Sequence, residues 1–496
     1  MLGISERLVL SSGPVAGFRR RLLAPGFLAV FALACGSSSS SADPGFDPSG
    51  DPAVEVLADV IEVAMDLPGD HLDTGDLGAA VDVADAMTDT LYDVTPDVAE
   101  GVIDTPQPFH WASGCEGAGT GAAWTLIPDA TFLRGPLVQM SDRDRATIVW
   151  RTATPSQDEG CVHLTWSDQY RMECGLPDAN GQYEIQVVGL PAASEVSYHV
   201  QVGKVLTSQL TFRTLPDRPV PMKFAVFADA HNKVENLQKM STLALGMGVD
   251  FAIGIGDLTG VGLPEEFDQT LKGFQDLGSR VNVWAVLGNH DEKNIKGYFD
   301  AFVLPQGNEE ESAAGLGEGW WARRMGNVWI GGGWIRDFYL SMPDADWGQV
   351  GWFRRQFETE EFKTAQWKLF FIHEPAYSTQ WGTECSSNGE QCLRVALIPM
   401  LAAAGVQASF HGHMHGIEWG AVEGVNTFIV GGLCGCGMDS GDCPTPDGFP
   451  APWNGIYGIA NFAVVETGCD GLTVRYMDLE GKLLKQIDIP SKPDGT

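Results

Sequence analysis

The chain has 496 residues, a formal net charge of -34 and a sequence pI near 4.5. That length leaves room for two or more domains with a large core. The charge argues against nucleic acid or an anionic membrane surface as an electrostatic partner. The acidic excess is unevenly placed. No Lys or Arg occurs between Arg21 and Arg134, while Asp and Glu recur every three or four residues over much of 43–104.

The N-terminus reads as an export signal. Arg19, Arg20 and Arg21 precede a short apolar stretch, 22–34, interrupted by Pro25 and Gly26. It is too short to span a bilayer and suits a signal h-region. Ala32-Leu33-Ala34-Cys35-Gly36 resembles a bacterial lipobox, with Ala32 where Leu is usual. Residues 1–35 are therefore expected to be a lipoprotein signal, with the lipid on Cys35. The protein is then anchored outside the cytoplasm, in the periplasm or at the cell surface.

Ten cysteines suit that oxidising compartment. Cys161 with Cys174, and Cys385 with Cys392, are close enough in sequence to pair. Cys434, Cys436 and Cys443 crowd one Gly-rich loop. Disulfides are expected there, because no second cysteine pair completes a zinc knuckle.

Residues 36–108 begin with a serine tract and continue with degenerate Asp-Val repeats, such as Asp82-Val83 and Asp97-Val98. Pro68, Pro96 and Pro106 and the uncompensated charge predict a disordered acidic linker. From about Trp124 to Pro216 the pattern becomes short period-two strands over 146–152, 161–166, 183–188, 195–202 and 208–214. That spacing predicts a small all-β sandwich within 109–217. Residues 215–221, with three prolines, would connect it stiffly to the C-terminal half of the chain.

In 218–490, five apolar, strand-like runs each end in a polar metal-binding side chain. Phe224 to Ala228 ends in Asp229 and His231, and Phe251 to Gly256 in Asp257. Val283 to Gly288 ends in Asn289, His290 and Asp291. Leu369 to Ile372 ends in His373, and Ala408 to Gly412 in His413 and His415. In α/β sheets the carboxyl ends of strands are where sites are built, and Asp, Asn and His suit transition metals. Pro264 with Glu265 and Glu266 opens an expected helix that Gly278 ends. Two further helices are expected near Trp347–Phe357 and over 392–404, with edge strands at 461–465, 472–476 and 483–489.

Read in order, D-x-H, G-D, G-N-H-D, H and G-H-x-H resemble the calcineurin-like metallophosphoesterase family over about 220–490. The resemblance implies an α/β fold in which a two-sheet β-sandwich is flanked by helices. Thr147 to Thr152, Val188 to Pro191 and Thr211 to Thr214 more loosely resemble the fibronectin-like domain that precedes the catalytic domain of purple acid phosphatases. Two divalent metal ions (Mn, Fe, Zn or Co) are implied. By resemblance the first takes Asp229, His231, Asp257 and His415, and the second takes Asp257, Asn289, His373 and His413. Asp257 would bridge them, and a bridging hydroxide would attack phosphorus. His290 would be the general acid or would stabilise the transition state, with Asp291 orienting its ring. His411 has no implied ligand role.

The expected activity is phosphomonoester hydrolysis. The alternatives are a phosphodiesterase acting on nucleotide or phospholipid substrates and a surface-display lipoprotein with a vestigial domain. Loops 306–321, 378–391 and 432–453 are candidates for substrate choice. One departure stands out. Purple acid phosphatases carry G-D-x-x-Tyr with an iron-binding tyrosinate, whereas Gly260 stands at that position here and His231 supplies an extra imidazole.

Overall fold

A computed structural model describes residues 132–153, 156–203, 205–305, 319–336, 348–379, 390, 392–436 and 449–491. The signal, Cys35 and the acidic linker lie outside the described residues, as do most of the three candidate substrate loops.

The first eight strands are β1 (Arg134–Gln139), β2 (Arg145–Arg151), β3 (Gly160–Trp166), β4 (Gln169–Gly175), β5 (Gln182–Val188), β6 (Glu195–Val202), β7 (Val205–Leu206) and β8 (Leu210–Arg213). They form two antiparallel sheets, β1-β2-β5 and β4-β3-β6-β7, with β8 also on β6. Alternation explains the layering. Val162, Leu164, Val196, Tyr198 and Val200 point inward onto Trp150 and Tyr183, whose rings stack at 4.9 Å. The expected all-β region is present, and Cys161 is bonded to Cys174 across β3 and β4.

The second region contains β9 (Met222–Phe227), β10 (Phe251–Ile255), β11 (Asn282–Val286), β12 (Trp321–Met325), β13 (Val328–Gly332), β14 (Trp367–Phe371) and β15 (Ala408–His411). It continues with β16 (Ile417–Val422), β17 (Val425–Val430), β18 (Asn454–Ile456), β19 (Asn461–Thr467), β20 (Gly471–Asp478) and β21 (Leu483–Pro490). One sheet runs β11-β10-β9-β19-β20-β21, the other β12-β13-β14-β15-β17-β16-β18. They pack face to face through one apolar core. Phe224 stacks on Phe251 at 4.6 Å and meets Phe371 edge-on at 6.3 Å, and Phe371 stacks on Phe410 at 5.0 Å.

β9, β10 and β11 are parallel, as are β14 and β15. Apart from Lys223, Asn282 and Lys368 near their starts, the runs of β9, β10, β11 and β14 are apolar because both faces are buried. Parallel pairing brings all five carboxyl ends to one rim, which is the placement the site needs.

Helices cover the outer faces. α1 (Val234–Gly246) buries Leu237, Met240, Ser241, Ala244 and Leu245, a stripe of helical period. The expected 264–278 helix is present but interrupted at Phe274, where φ is -108°. α2 (Pro264–Gly273) therefore gives way to the short α3 (Gln275–Gly278). α4 (Ile295–Ala301) comes next, capped by the Asn294 side chain. α5 (Gly348–Phe357) and α6 (Glu360–Lys363) succeed it, and α7 (Ile398–Ala404) ends at left-handed Gly405 as expected. Residues 393–397, expected to continue the α-helix, instead form a wider π turn.

The two regions are packed together and not joined by the connector alone. β1 lies against α2, α3 and β11. Arg134 Nη1 is 3.1 Å from Asp268 Oδ1 and its Nη2 donates to Asp300 O at 2.8 Å. Tyr198 Oη donates to Ser279 O at 2.7 Å. Leu137 enters the catalytic core itself.

Candidate metal centre

Each expected ligand sits two to four residues past its strand. The backbone there turns sharply. Asp229, His231, Asp257, His413 and His415 all have positive φ, between 41° and 69°. That conformation costs a non-glycine residue about 1–2 kcal/mol, and such residues concentrate at functional sites. Gly256 (φ +71°) makes the approach possible. A Cβ on it would lie 2.6 Å from His373 Nδ1 and 2.7 Å from Gly288 Cα.

The donors form two groups with the carboxylates of Asp229 and Asp257 between them. In the first, His231 Nε2 lies 3.1 Å from His415 Nε2, and the latter is 3.7 Å from Asp229 Oδ1. In the second, His413 Nδ1 lies 2.9 Å from Asn289 Oδ1 and 3.3 Å from His373 Nε2. Asp257 Oδ2 stands between them, 3.7 Å from His231 Nε2 and 3.2 Å from His373 Nε2. The structure thus brings all seven side chains to one rim, and Asp229 Oδ1 also lies 3.9 Å from His373 Nε2, so both carboxylates stand among the imidazoles.

Neighbouring groups fix which atom of each donor faces inward. His373 Nδ1 donates to Ile255 O at 2.7 Å, which leaves Nε2 for the site. Asp229 accepts from His413 N at 2.9 Å and from Gly432 N at 3.3 Å. Asp257 Oδ1 accepts from His290 N at 2.8 Å, which leaves Oδ2 free to bridge.

The electrostatics suit cations. Among the described residues, the ion-pair partners of Asp229 and Asp257 are imidazoles. Burial pushes the Asp229 carboxyl up. Burial would push Asp257 up as well, but His373 beside it holds it well below the usual carboxylate range. Burial likewise opposes a proton on His373, yet Asp257 raises it well above the ordinary histidine range. Positive charge is therefore drawn to the gap between these carboxylates. Burial drives His231 and His413 down to about 3, so both are neutral donors at physiological pH. Carboxylate, amide and neutral imidazole fit Mn, Fe, Zn or Co.

His290 and Asp291 take different parts. The His290 ring meets His231 edge-on at 4.6 Å, beside the first donor group. Its Nδ1–H donates to Gly260 O, leaving Nε2 as the available ring nitrogen. Asp291 is fully buried and was expected beside that imidazole. It instead accepts from Leu258 N at 3.3 Å, from Thr259 N and Oγ1 at 2.9 Å each, and from Gly288 N at 3.2 Å. Its four bonds tie the Asp257 loop to the Asn289 loop, a positioning role. His411 is buried, with Nδ1 3.0 Å from Glu374 O and Nε2 3.0 Å from Ser409 Oγ, and is no donor to the site.

Residues 222–416 match the family model for calcineurin-like phosphoesterases. The chain carries a calcineurin-like phosphoesterase domain. Among solved structures, the purple acid phosphatase PPD1 from yellow lupin (Lupinus luteus) seeds is similar at 14% identity and a TM-score of 0.58. The match covers 73% of this chain and 77% of that one. PhoD is similar at 10% identity and a TM-score of 0.53, over 74% of this chain and 95% of its own. At such identities the likeness is one of fold. No curated protein matches the chain. The phosphoesterase rim also holds residues that motif spacing does not reveal. Gly260 fixes His290 by its carbonyl, and Glu418 is buried at the start of β16. Glu418 accepts from Thr379 N, Thr379 Oγ1, Trp453 Nε1 and Tyr457 Oη. It thereby gathers the described ends of two candidate substrate loops.

Proposed function

We propose that the protein is an exported phosphoesterase that hydrolyses phosphate monoesters with two divalent ions. The observation that carries this reading is Asp257 Oδ2, placed between two separate donor groups at 3.7 and 3.2 Å. A carboxylate oxygen set between two imidazole clusters suits a bridge. Asp229, His231 and His415 would hold the first ion with it, and Asn289, His373 and His413 the second. Such ions neutralise phosphoryl oxygens and lower the pKa of a water that serves as nucleophile.

The chain's own groups do the rest. Protonated His290 gives its Nε2 proton to the departing alkoxide, while the Gly260 carbonyl keeps the ring in place through Nδ1. Asp291 holds the two donor loops in register. The preceding all-β region, read as fibronectin-like by analogy with purple acid phosphatases, favours monoesters over diesters. Export and a lipid on Cys35 are supported by the basic, apolar and small-residue pattern before that cysteine, and by the Cys161–Cys174 disulfide.

The test is turnover of para-nitrophenyl phosphate against its bis ester, with bound metal quantified on the same sample. Two metals per chain and preference for the monoester are expected. A preference for the diester would shift the reading to a phosphodiesterase, and metal-free, inactive protein would refute it.

A further inference from the structure

The segment 257–264 links β10 to α2 along the rim and carries the Gly260 carbonyl that accepts from His290 Nδ1. Its backbone is held from two sides. Val261 N and Leu263 N both donate to Glu266 Oε2, at 2.9 and 3.1 Å. Gly262 (φ +76°) packs closely on the turn that carries His290. A Cβ there would lie 3.1 Å from His290 O, 3.2 Å from Asn294 N and 3.3 Å from Lys293 Cβ. Leu258, earlier in the same segment, is fully buried, whereas Val261 is 52% exposed and Leu263 46%. A fixed backbone thus holds two branched apolar side chains at the surface.

Single apolar residues at a surface are ordinary. Here their place decides. Val261 follows Gly260 directly, about 3.8 Å on from it along the chain, and so stands beside the His290 ring that the Gly260 carbonyl holds. His290 Nε2 serves the departing oxygen, so the organic part of the ester leaves past that ring. Residues 258–264 hold no charged side chain. The amides of Leu258 and Thr259 are committed to Asp291, and those of Val261 and Leu263 to Glu266. A charged leaving group finds no ion partner on this segment. An alkyl or aryl group there removes apolar surface from water.

We infer that Val261 and Leu263 form an apolar shelf for the leaving group, and that the enzyme prefers monoesters of alkyl or aryl alcohols to those of polyols. This rests on the phosphomonoesterase reading above, with His290 as proton donor. The shelf is preformed, so little ordering opposes its use. A methylene fully buried against it raises kcat/KM about fourfold, and one resting on a half-open surface about twofold.

Turnover of ethyl, propyl, butyl and pentyl phosphate by the full, metal-loaded chain tests this, with glycerol phosphate as the polar comparison. The value of kcat/KM is expected to rise about twofold per methylene and to exceed that for glycerol phosphate from propyl phosphate onward. Calorimetric binding of the matching alkylphosphonates reads the shelf without turnover and should follow the same order. Val261→Thr combined with Leu263→Asn, changes of similar volume at exposed positions, should flatten the rise. Leu263→Phe enlarges the shelf and should steepen it, which keeps the test open should the double variant lose metal. No dependence on chain length in the wild type overturns the inference, as does an undiminished slope in the metal-loaded double variant. Failure to turn over any of these esters, para-nitrophenyl phosphate included, refutes the monoesterase reading itself, and this inference with it.

Discussion

The Gly260 carbonyl accepts the Nδ1–H of His290, so the ring presents Nε2 to the rim that holds the metal donors. That bond assigns the tautomer and makes the proton-donating nitrogen specific. His290→Ala should lower kcat by about 10²–10⁴-fold, the usual loss for a general acid, with metal content unchanged. Asp257→Asn should lose more, because it disturbs both donor groups, and metal analysis should show depletion. Near-wild-type turnover in Asp257→Asn with two metals retained would rule out the bridge.

Gly260 also bears on colour. A tyrosine there would need space where a Cβ already meets Glu266 Oε1 at 3.0 Å. The Tyr377 phenol is engaged elsewhere, under the Arg394 guanidinium at 4.6 Å and beside Phe449 at 5.7 Å. The purified protein should therefore lack the purple tyrosinate-to-iron colour, with an optimum less acidic than in the purple enzymes. A tyrosinate-to-iron band in its visible spectrum would show that the ligand list is incomplete.

Asp291→Ala should destabilise the protein. It strands buried donors of Leu258, Thr259 and Gly288, at about 1–3 kcal/mol for a buried group left without its partner. Thermal unfolding should show a clear drop in Tm, and kcat should fall because the Asp257 and Asn289 loops separate. Thr259→Val removes only the hydroxyl bond and should cost less. Equal effects of the two would contradict the positioning role.

Asp268→Ala tests the packing between the two regions. Asp268 sits 3.1 Å from Arg134 Nη1 and 3.5 Å from Arg151 Nη1, pairs set by proximity without hydrogen-bond alignment at that oxygen. Removing the partner of a buried guanidinium costs about 3–5 kcal/mol at full burial, and less here because Arg151 is partly exposed. Tm should fall while kcat stays near wild type, since neither residue reaches the rim. An unchanged denaturation curve would mean that the pair is not coupled to folding.

Glu418→Ala should release Thr379, Trp453 and Tyr457 together. Because Thr379 stands near the start of one candidate substrate loop and Trp453 ends another, KM should rise several-fold with a smaller change in kcat. A pure Tm loss with unchanged KM would make Glu418 structural only.

The sequence by itself marked out the side chains that gather at the rim. Five apolar runs ending in Asp, Asn or His are legible because a strand buried on both faces must be continuously apolar, so its polar terminus stands out. The strands at 461–465, 472–476 and 483–489 were legible for a related reason, since apolar residues there are bounded by turns, but of the three only the last lies at a sheet edge. β4 was not, because its residues are largely exposed and carry Gln, Arg and Glu, with no buried face to impose alternation. α1 has a clear stripe, but a strand-centred reading passes over it between two site-bearing runs.

Only the tertiary structure decided the contacts that cross between distant segments. The carbonyl of Gly260 leaves no mark in residue type, since every residue has one. Asp291 looks like a partner for its neighbour His290, yet its carboxylate bonds backbone amides up to 33 residues away. The contacts of Glu418 and Asp268 likewise depend on how two sheets and a second region pack. Local sequence sets which side chains a strand end can offer. The packing of one strand end against another sets which atoms meet.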